Sequence, residues 1–278
     1  MRNFSVVSKK RLKQLLTPHG YKNWKRLFLK LNDNIFIMVM LKGTFDKEFS
    51  LIDTFVYPYP YCIKVDNWFE DYDPRDQISD TLFDALQRIN PDKFTKEYYY
   101  PLIYAKSEEG TLKSLDFICE TIEEFALSYM NKFNDLEFYY NEFPIFAQKP
   151  CNPNMFEIFE QLYGLSIKLR KYDNAIPYVD RKLSFVNGKT KRARTELANL
   201  KGGNFDERTL MVEKMKPGYI KLAISAAEKA IVQWGKEIKE WQIMKEALLS
   251  NDHTFLEGYI KKIESNSRKI LQEMFGEK

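Results

Sequence analysis

The sequence predicts an α+β fold in two parts: an N-terminal antiparallel β-meander packed with helices, followed by an all-α helical-hairpin domain. Apolar and polar residues alternate over 27–31 and 49–57, which is typical of strands. Aromatic residues fall from 29 in the first 150 positions to 13 in the last 128, where apolar residues recur at helical spacing. Three prolines in FPIFAQKPCNPN (143–154) interrupt regular structure. We therefore predict domains at residues 1–148 and 149–278.

The N-terminal part begins with a predicted helix over 5–16, which the segment TPHG ends. A strand with one buried and one solvated face follows, because two sets of residues alternate: Leu27, Leu29 and Leu31 against Arg26, Phe28 and Lys30. The unbroken apolar run IFIMVML (35–41) predicts a strand that is covered on both faces. Residues 49–57 alternate again, and turn-forming residues separate these segments. A meander of three or four strands is the result.

Two further helices are predicted in this part. DYDPRDQISDTLFDALQRI (71–89) has the features of a helix start, with Asp73 as N-cap and Pro74 at the first helical position. Over 108–133, apolar residues follow helical spacing more clearly. An amphipathic helix of this length needs an apolar surface to cover, and the meander offers one.

The C-terminal part is predicted to be entirely helical. Two helices lie within 155–186 and are separated around KYDN, and a glycine-containing turn follows them. Further helices are predicted near 206–215, over 219–249 and over 254–275. A continuous apolar stripe along 219–249 is expected to be buried by packing of antiparallel helical hairpins.

Composition and charge narrow the class of protein. Apolar residues make up 44%, and three scattered cysteines suit a reducing compartment. The charged start is not followed by the apolar segment of a secretion signal, and no apolar run is long enough for a membrane span. We therefore expect a cytoplasmic protein. The net charge of +4 is uneven: Lys and Arg outnumber Asp and Glu by 11 to 4 in residues 1–60 and by 23 to 17 in 151–278, but are outnumbered 9 to 18 in 61–150. An evenly basic nucleic-acid binder is not expected to show this distribution.

The strongest candidate for partner binding is a basic segment around NGKTKRAR (187–194). Its GKT is not a phosphate-binding P-loop, because that loop needs glycine where Leu183 stands. A solvated loop is one interpretation of the segment. A contact for phosphates or for an acidic partner is the other. The candidate residues are Arg181, Lys182, Lys189, Lys191, Arg192 and Arg194.

A secondary candidate surface combines a tryptophan with nearby cations: Trp24, Lys25, Arg26 and Lys30. Together with the tyrosines at 98–100, it has the residue types that bind single-stranded nucleic acid by stacking and charge. Ordinary packing in a strand explains the same residues, since they fit the alternation. Both interpretations remain open.

Metal, cofactor and catalytic motifs are not evident. The acidic run over 66–80 lacks the glycine and glutamate of a calcium loop, and His19 and His253 have no neighbouring ligands at zinc-site spacing. We therefore predict no metal and no cofactor. No nucleophile elbow or Cys-x-x-Cys motif is present. The sequence favours a non-catalytic protein, although acid/base chemistry by carboxylates alone needs no local motif and stays open.

Two segments resemble known families. The leading helix, Gly20-Tyr21-Lys22, Arg26, Phe28 and the apolar run 35–41 resemble the N-terminal pattern of a bacterial family catalogued as domain of unknown function 4304. Leu41-Lys42 stands where that family has glutamine. The resemblance covers about residues 5–130, and the family's association with toxin–immunity neighbourhoods implies a binding role. Separately, LYGLSIKLRKYDNAIPYVDRKL (162–183) resembles one tetratricopeptide hairpin, without a second copy at that period.

These observations favour a non-catalytic protein that binds another protein in an immunity-like or adaptor role, with no membrane association. Nucleic-acid binding through 181–194 is the alternative, and an enzyme using carboxylates is a third. The identity of the partner, the oligomeric state and the biological process do not follow from the residues.

Overall fold

The computed structural model describes residues 4–24, 27–45, 50–62, 91–93, 104–147 and 155–274. The chain forms two compact units: residues 1–165 with 259–278, and residues 166–258. The described residues form an antiparallel sheet with helices, followed by a helical region, so the predicted α+β class is confirmed.

Several sequence-based predictions fall outside the described residues. They are the helix start at Asp73, the acidic run over 66–80, the tyrosines at 98–100, and the cations Lys25 and Arg26. The proline-rich segment is described only up to position 147.

The sheet is an antiparallel meander in which each strand pairs with the next along the chain. Its strands are β1 (Lys22–Trp24), β2 (Leu27–Leu31), β3 (Ile35–Phe45), β4 (Ser50–Pro60) and β5 (Tyr104–Ala105). The β3–β4 pair is the longest and runs in unbroken register from Ile35 opposite Pro60 to Phe45 opposite Ser50. The predicted meander is therefore confirmed, and β5 extends it at the β4 edge.

The middle of the sheet is covered on both faces. Ile35 to Met40 are all buried, as the run IFIMVML predicts. On β2 the expected solvated face is wrong at Phe28, which is 1% exposed, as is its neighbour Leu29. Leu29 packs in a cluster with Phe36, Met38 and Leu271 of the last helix, whereas Phe28 lies opposite Val39 on the other face. The centre of β2 is therefore buried on both faces, and its end residues are half-buried.

Helices of the first unit pack beside this sheet. They are α1 (Phe4–Leu16), α2 (Glu108–Thr121), a π-helical segment (Ile122–Ala126), α3 (Leu127–Lys132) and α4 (Leu136–Ala147). The Ser107 side chain accepts a hydrogen bond from the Gly110 amide at 3.0 Å and so caps α2. The predicted helix over 108–133 is confirmed, with a π-turn inside it. α4 extends through Pro144 in its last turn, beyond the point where regular structure was expected to stop.

The remaining helices are α5 (Met155–Lys168), α6 (Tyr172–Lys201), α7 (Glu207–Met215), α8 (Tyr219–Leu249) and α9 (His253–Met274). These bounds match the predicted helices except for α6. The turn expected after residue 186 does not exist, and α6 continues unbroken through Gly188 to Lys201. Buried residues at helical spacing hold it in this form: Val179, Lys182, Val186, Thr190, Ala193 and Leu200.

Helices α6 and α8 pack along their lengths as an antiparallel hairpin in the second unit. Two ion pairs establish the direction. Lys245 Nζ lies 2.7 Å from Asp180 Oδ1, and Lys201 Nζ lies 2.6 Å from Glu228 Oε1. Residue numbers rise along α6 as they fall along α8, so the helices run in opposite directions. Each has about 30 residues and is therefore roughly 45 Å long.

Candidate functional site

All six cations of the principal predicted site lie on helix α6. A helix fixes their directions in a way that a solvated loop would not, because side chains turn by about 100° per residue. The structure separates the six into an inward pair and an outward group. The segment is therefore a helix and not the expected loop, and the two groups need to be considered separately.

Lys182 is the most buried of the six. Its side chain is 9% exposed, its Nζ lies 2.8 Å from Glu237 Oε1, and it sits 6.0 Å from the centre of the Trp241 ring. Both neighbours belong to α8, so the ammonium group is used inside the hairpin. This placement corrects the assignment of Lys182 to partner binding: its charge is paired with Glu237 between α6 and α8.

Lys189, seven residues further along α6, has the same orientation. Its Nζ lies 4.3 Å from the centre of the Phe185 ring and 5.9 Å from that of Trp234. These are cation–π distances, and one of the rings belongs to α8. Lys189 is half-buried and is likewise removed from the predicted contact set.

The outward group consists of Arg181, Lys191, Arg192 and Arg194, all of which are exposed. Arg192 Nε donates to the Gly188 carbonyl at 3.4 Å, one turn back along α6. Among the described residues, Lys191, Arg192 and Arg194 have no carboxylate within ion-pair distance. Three cations within four residues thus present uncompensated charge on a rigid helix. This is the part of the predicted site that the structure keeps together.

A second basic surface, on the exposed side of α8, was not identified from the sequence. It contains Lys221, Lys229, Lys236 and Lys239, all exposed. A signal for it exists in the seven-residue spacing of Leu222, Lys229, Lys236 and Ile243. The apolar stripe that predicts this helix lies on its opposite side and gives no indication of the surface.

The secondary site around Trp24 is engaged in packing where the structure describes it. Trp24 is half-buried and packs against the Leu29 cluster of the sheet. Lys30 Nζ lies 3.5 Å from Asn131 Oδ1 and 5.8 Å from the centre of the Tyr21 ring. These contacts favour the packing interpretation over a stacking surface for nucleic acid.

Other reactive groups of the described chain are buried or already engaged. Burial raises the pKa of the Cys119 thiol to about 11, so at neutral pH it is a poor nucleophile. The His253 ring stacks on Tyr172 at 3.7 Å between centres, and the Tyr172 hydroxyl donates to Glu257 Oε1 at 2.7 Å. Within the described ranges, no group of three or more His, Cys, Asp or Glu residues is arranged to hold a metal ion.

Among the helices that the structure describes, none is both long and apolar enough to cross a membrane. Comparison of the chain with family models, with curated proteins and with solved structures gave no match. The resemblances to domain of unknown function 4304 and to a tetratricopeptide hairpin therefore stay predictions.

Proposed function

We propose that this chain is a non-catalytic binding protein of the cytoplasm that recognises an acidic protein in an immunity-like or adaptor role. The contact surface is the outward face of α6, with Lys191, Arg192 and Arg194 at its centre. The observation that supports this proposal is the exposure of three neighbouring cations without ion-pair partners among the described residues. Residues 166–258 contain 18 Lys and Arg against 12 Asp and Glu, so the unit as a whole attracts an acidic partner.

The outward cations of α6 are attached to a rigid helical backbone. The hairpin is held by the Lys182–Glu237 pair and by ion pairs near its two ends, so the outward side chains start from a fixed backbone. Pre-organised cations lose less entropy on binding than cations on a flexible loop. Such contacts control association rate and specificity more than raw affinity.

A protein partner is favoured over nucleic acid because of the aromatic residues. Single-strand binding needs exposed rings on which bases stack. In the α6–α8 hairpin the rings beside Lys182 and Lys189 are Phe185, Trp234 and Trp241, and all three are half-buried or buried. The exposed surface of the hairpin instead combines cations with aliphatic side chains such as Leu222 and Val232 of α8, on which bases cannot stack.

The test is charge reversal on α6 with a matched control. A tagged full-length chain captures its partner from the native host, and the purified partner is titrated against wild type, K191E/R192E/R194E and K9E/K10E/K13E. The control reverses three exposed lysines of α1 and changes net charge equally. We expect the α6 variant to bind about tenfold or more weakly and with a shallower salt dependence, and the control to resemble wild type.

Two outcomes would overturn the proposal. One is unchanged affinity and salt dependence in K191E/R192E/R194E, once circular dichroism shows that its helices are intact. The other is steep, salt-dependent binding of duplex or single-stranded oligonucleotides that this variant loses, which would assign the surface to nucleic acid.

A further inference from the structure

We propose that the exposed face of α8 binds an acidic amphipathic helix contributed by the partner. The inference rests on the proposed function and specifies which structure the partner presents to the second basic surface. It begins from a row of exposed residues, spaced by three and four positions, on the side of α8 that faces away from α6. We call this row the α8 seam; it consists of Leu222, Ser225, Lys229, Val232, Lys236, Lys239 and Ile243.

The α8 seam has the spacing of a coiled-coil face, with aliphatic residues at three of its seven positions. Its residues are spaced by three and four positions, as at the a and d positions of a heptad. The opposite positions face the hairpin, where Glu237 pairs with Lys182 and Trp241 is buried. Leu222, Val232 and Ile243 are instead 60%, 61% and 49% exposed. A helix that packs well on one side thus keeps a regular second face for a partner.

The positive charge of the α8 seam is not neutralised by ion pairs with described residues. Within the described part of the chain, Lys229, Lys236 and Lys239 have no carboxylate at ion-pair distance. The adjacent Glu228 is already bound to Lys201 at 2.6 Å. An open depression lies over Val232 between Lys229 and Lys236, and Glu228 and Gln233 complete its lining. An aliphatic side chain flanked by carboxylates would fit this arrangement.

The order of residues along the α8 seam indicates a helix as occupant. Leu222, Val232 and Ile243 are about 15 Å apart along the axis, with lysines between them. A partner helix meets such a seam over several turns and can place Leu opposite each aliphatic residue and Glu opposite each lysine. Carboxylates at those positions would lie within ion-pair reach.

Other occupants fit less well. A second copy of this seam would put Lys229 opposite Lys236 in an antiparallel pair, or each lysine opposite itself in a parallel pair, and like charges repel. A membrane surface binds a continuous apolar face, often with aromatic residues, whereas here lysines interrupt the aliphatic positions. A duplex would leave the exposed Leu222 and Ile243 without apolar contacts.

The experiment uses a labelled synthetic helix of about four heptads with Leu and Glu placed to match the α8 seam. Fluorescence anisotropy measures its binding to full-length wild type, to K229E/K236E/K239E and to the K9E/K10E/K13E control. A second peptide carries Lys in place of every Glu. We expect wild type and the control to bind the Glu peptide, and the α8 variant to bind it about tenfold or more weakly. The α8 variant should prefer the Lys peptide, and this exchange of preference is the decisive result.

The neutral variant K229Q/K236Q/K239Q serves if the glutamates disturb folding, and an intermediate loss of affinity is expected from it. Equal binding of the Glu peptide by wild type and the α8 variants would overturn the inference. Binding to phosphatidylserine-containing vesicles would also overturn it, if that binding depends on these lysines and exceeds binding of the peptide. A dimer of the chain that becomes more stable when the lysines are substituted would do the same.

The two proposals can fail separately. The K191E/R192E/R194E variant should bind the Glu peptide within about twofold of wild type, because the peptide needs only the α8 seam. If the α8 seam binds the peptide while K191E/R192E/R194E binds the partner as wild type does, the assignment of partner binding to α6 fails and the α8 inference stands. If K191E/R192E/R194E binds the partner more weakly but neither peptide distinguishes the α8 variants from wild type, the α8 inference alone fails.

Discussion

Lys182 Nζ and Glu237 Oε1 lie 2.8 Å apart between α6 and α8, and the lysine side chain is only 9% exposed. The carboxylate is 28% exposed and so keeps part of its hydration. A buried ammonium group without its counter-charge is costly, whereas an apolar pair of similar volume is tolerated. The pair is therefore a determinant of how the two helices align, and it gives the first test of the structure.

We expect Lys182→Met to lower the free energy of unfolding by about 1–3 kcal/mol, because Glu237 loses its cation in a half-buried site. Adding Glu237→Met should recover most of this loss. Lys245→Met removes a cation from the more exposed pair with Asp180 and is expected to cost less than about 1 kcal/mol. Urea denaturation followed by circular dichroism measures all three. Equal effects of Lys182→Met and Lys245→Met would show that burial of the first pair has no energetic consequence.

Gly188 tests whether α6 is continuous. A Cβ added there would meet no atom within 4 Å, and glycine inside a helix is less stable than alanine by about 0.5–1 kcal/mol. Gly188→Ala should therefore stabilise the protein by about that amount. Gly203→Ala is the matched control, since Gly203 has φ +75° and alanine is strained by about 1 kcal/mol in that region. If both substitutions destabilise the chain to the same extent, 187–194 is not helical.

Gly188 also explains where sequence-based prediction of α6 stopped. Glycine and a cluster of cations favour a turn locally, whereas Val186, Thr190 and Ala193 continue the helical spacing on both sides of it. Packing against α8 outweighs the local preference of one glycine. The sheet was easier to predict, because IFIMVML and the turns beside it have strong local signals. The burial of Phe28 depends on which elements cover β2, and no local pattern contains that information.

The candidate site was predictable in location but not in detail. A run of cations identified 181–194, yet the phase of the helix decides that Lys182 and Lys189 face α8 while Lys191, Arg192 and Arg194 face outward. That phase follows from contacts with Glu237 and Trp234, which are about 50 residues away in sequence. The α8 seam has only one signal in the sequence, which is the three- and four-residue spacing of its lysines and aliphatic residues.

Gly164 on α5 is a position where packing excludes a side chain. A Cβ there would lie 2.8 Å from Cys62 Sγ and 3.1 Å from Cys62 Cβ. We expect Gly164→Ala to lower the free energy of unfolding by about 1–3 kcal/mol through overpacking. Cys62→Ala removes the closer atom, so the double variant should be more stable than the sum of the single effects predicts.

The control for Gly164 is Gly235→Ala on α8, where a Cβ has open space. It should stabilise the protein by about 0.5–1 kcal/mol. Thermal and urea unfolding measure the set. If Gly164→Ala stabilises the chain as Gly235→Ala does, the close approach of α5 to Cys62 is not present.

Glu213 caps the start of α8 and makes its stability depend on pH. Its Oε1 accepts from the Gly218 amide at 2.8 Å, and its Oε2 accepts from the Ile220 amide at 2.7 Å. These hydrogen bonds hold the pKa of the carboxyl below its ordinary value. A group whose pKa is depressed by folding contributes stability above its unfolded pKa, and this contribution is lost as pH falls through the folded pKa.

Glu213→Gln should therefore lower the melting temperature at neutral pH, because the amide keeps one acceptor and presents a donor to the second backbone N–H. The difference between wild type and variant should shrink towards acidic pH, where the wild-type carboxyl is protonated and loses its advantage. Glu246→Gln, at an exposed position near the other end of α8, is the control and should change little at any pH. Melting curves from neutral to strongly acidic buffers measure the difference. A gap that stays constant across pH would mean that the Glu213 carboxylate does not cap α8.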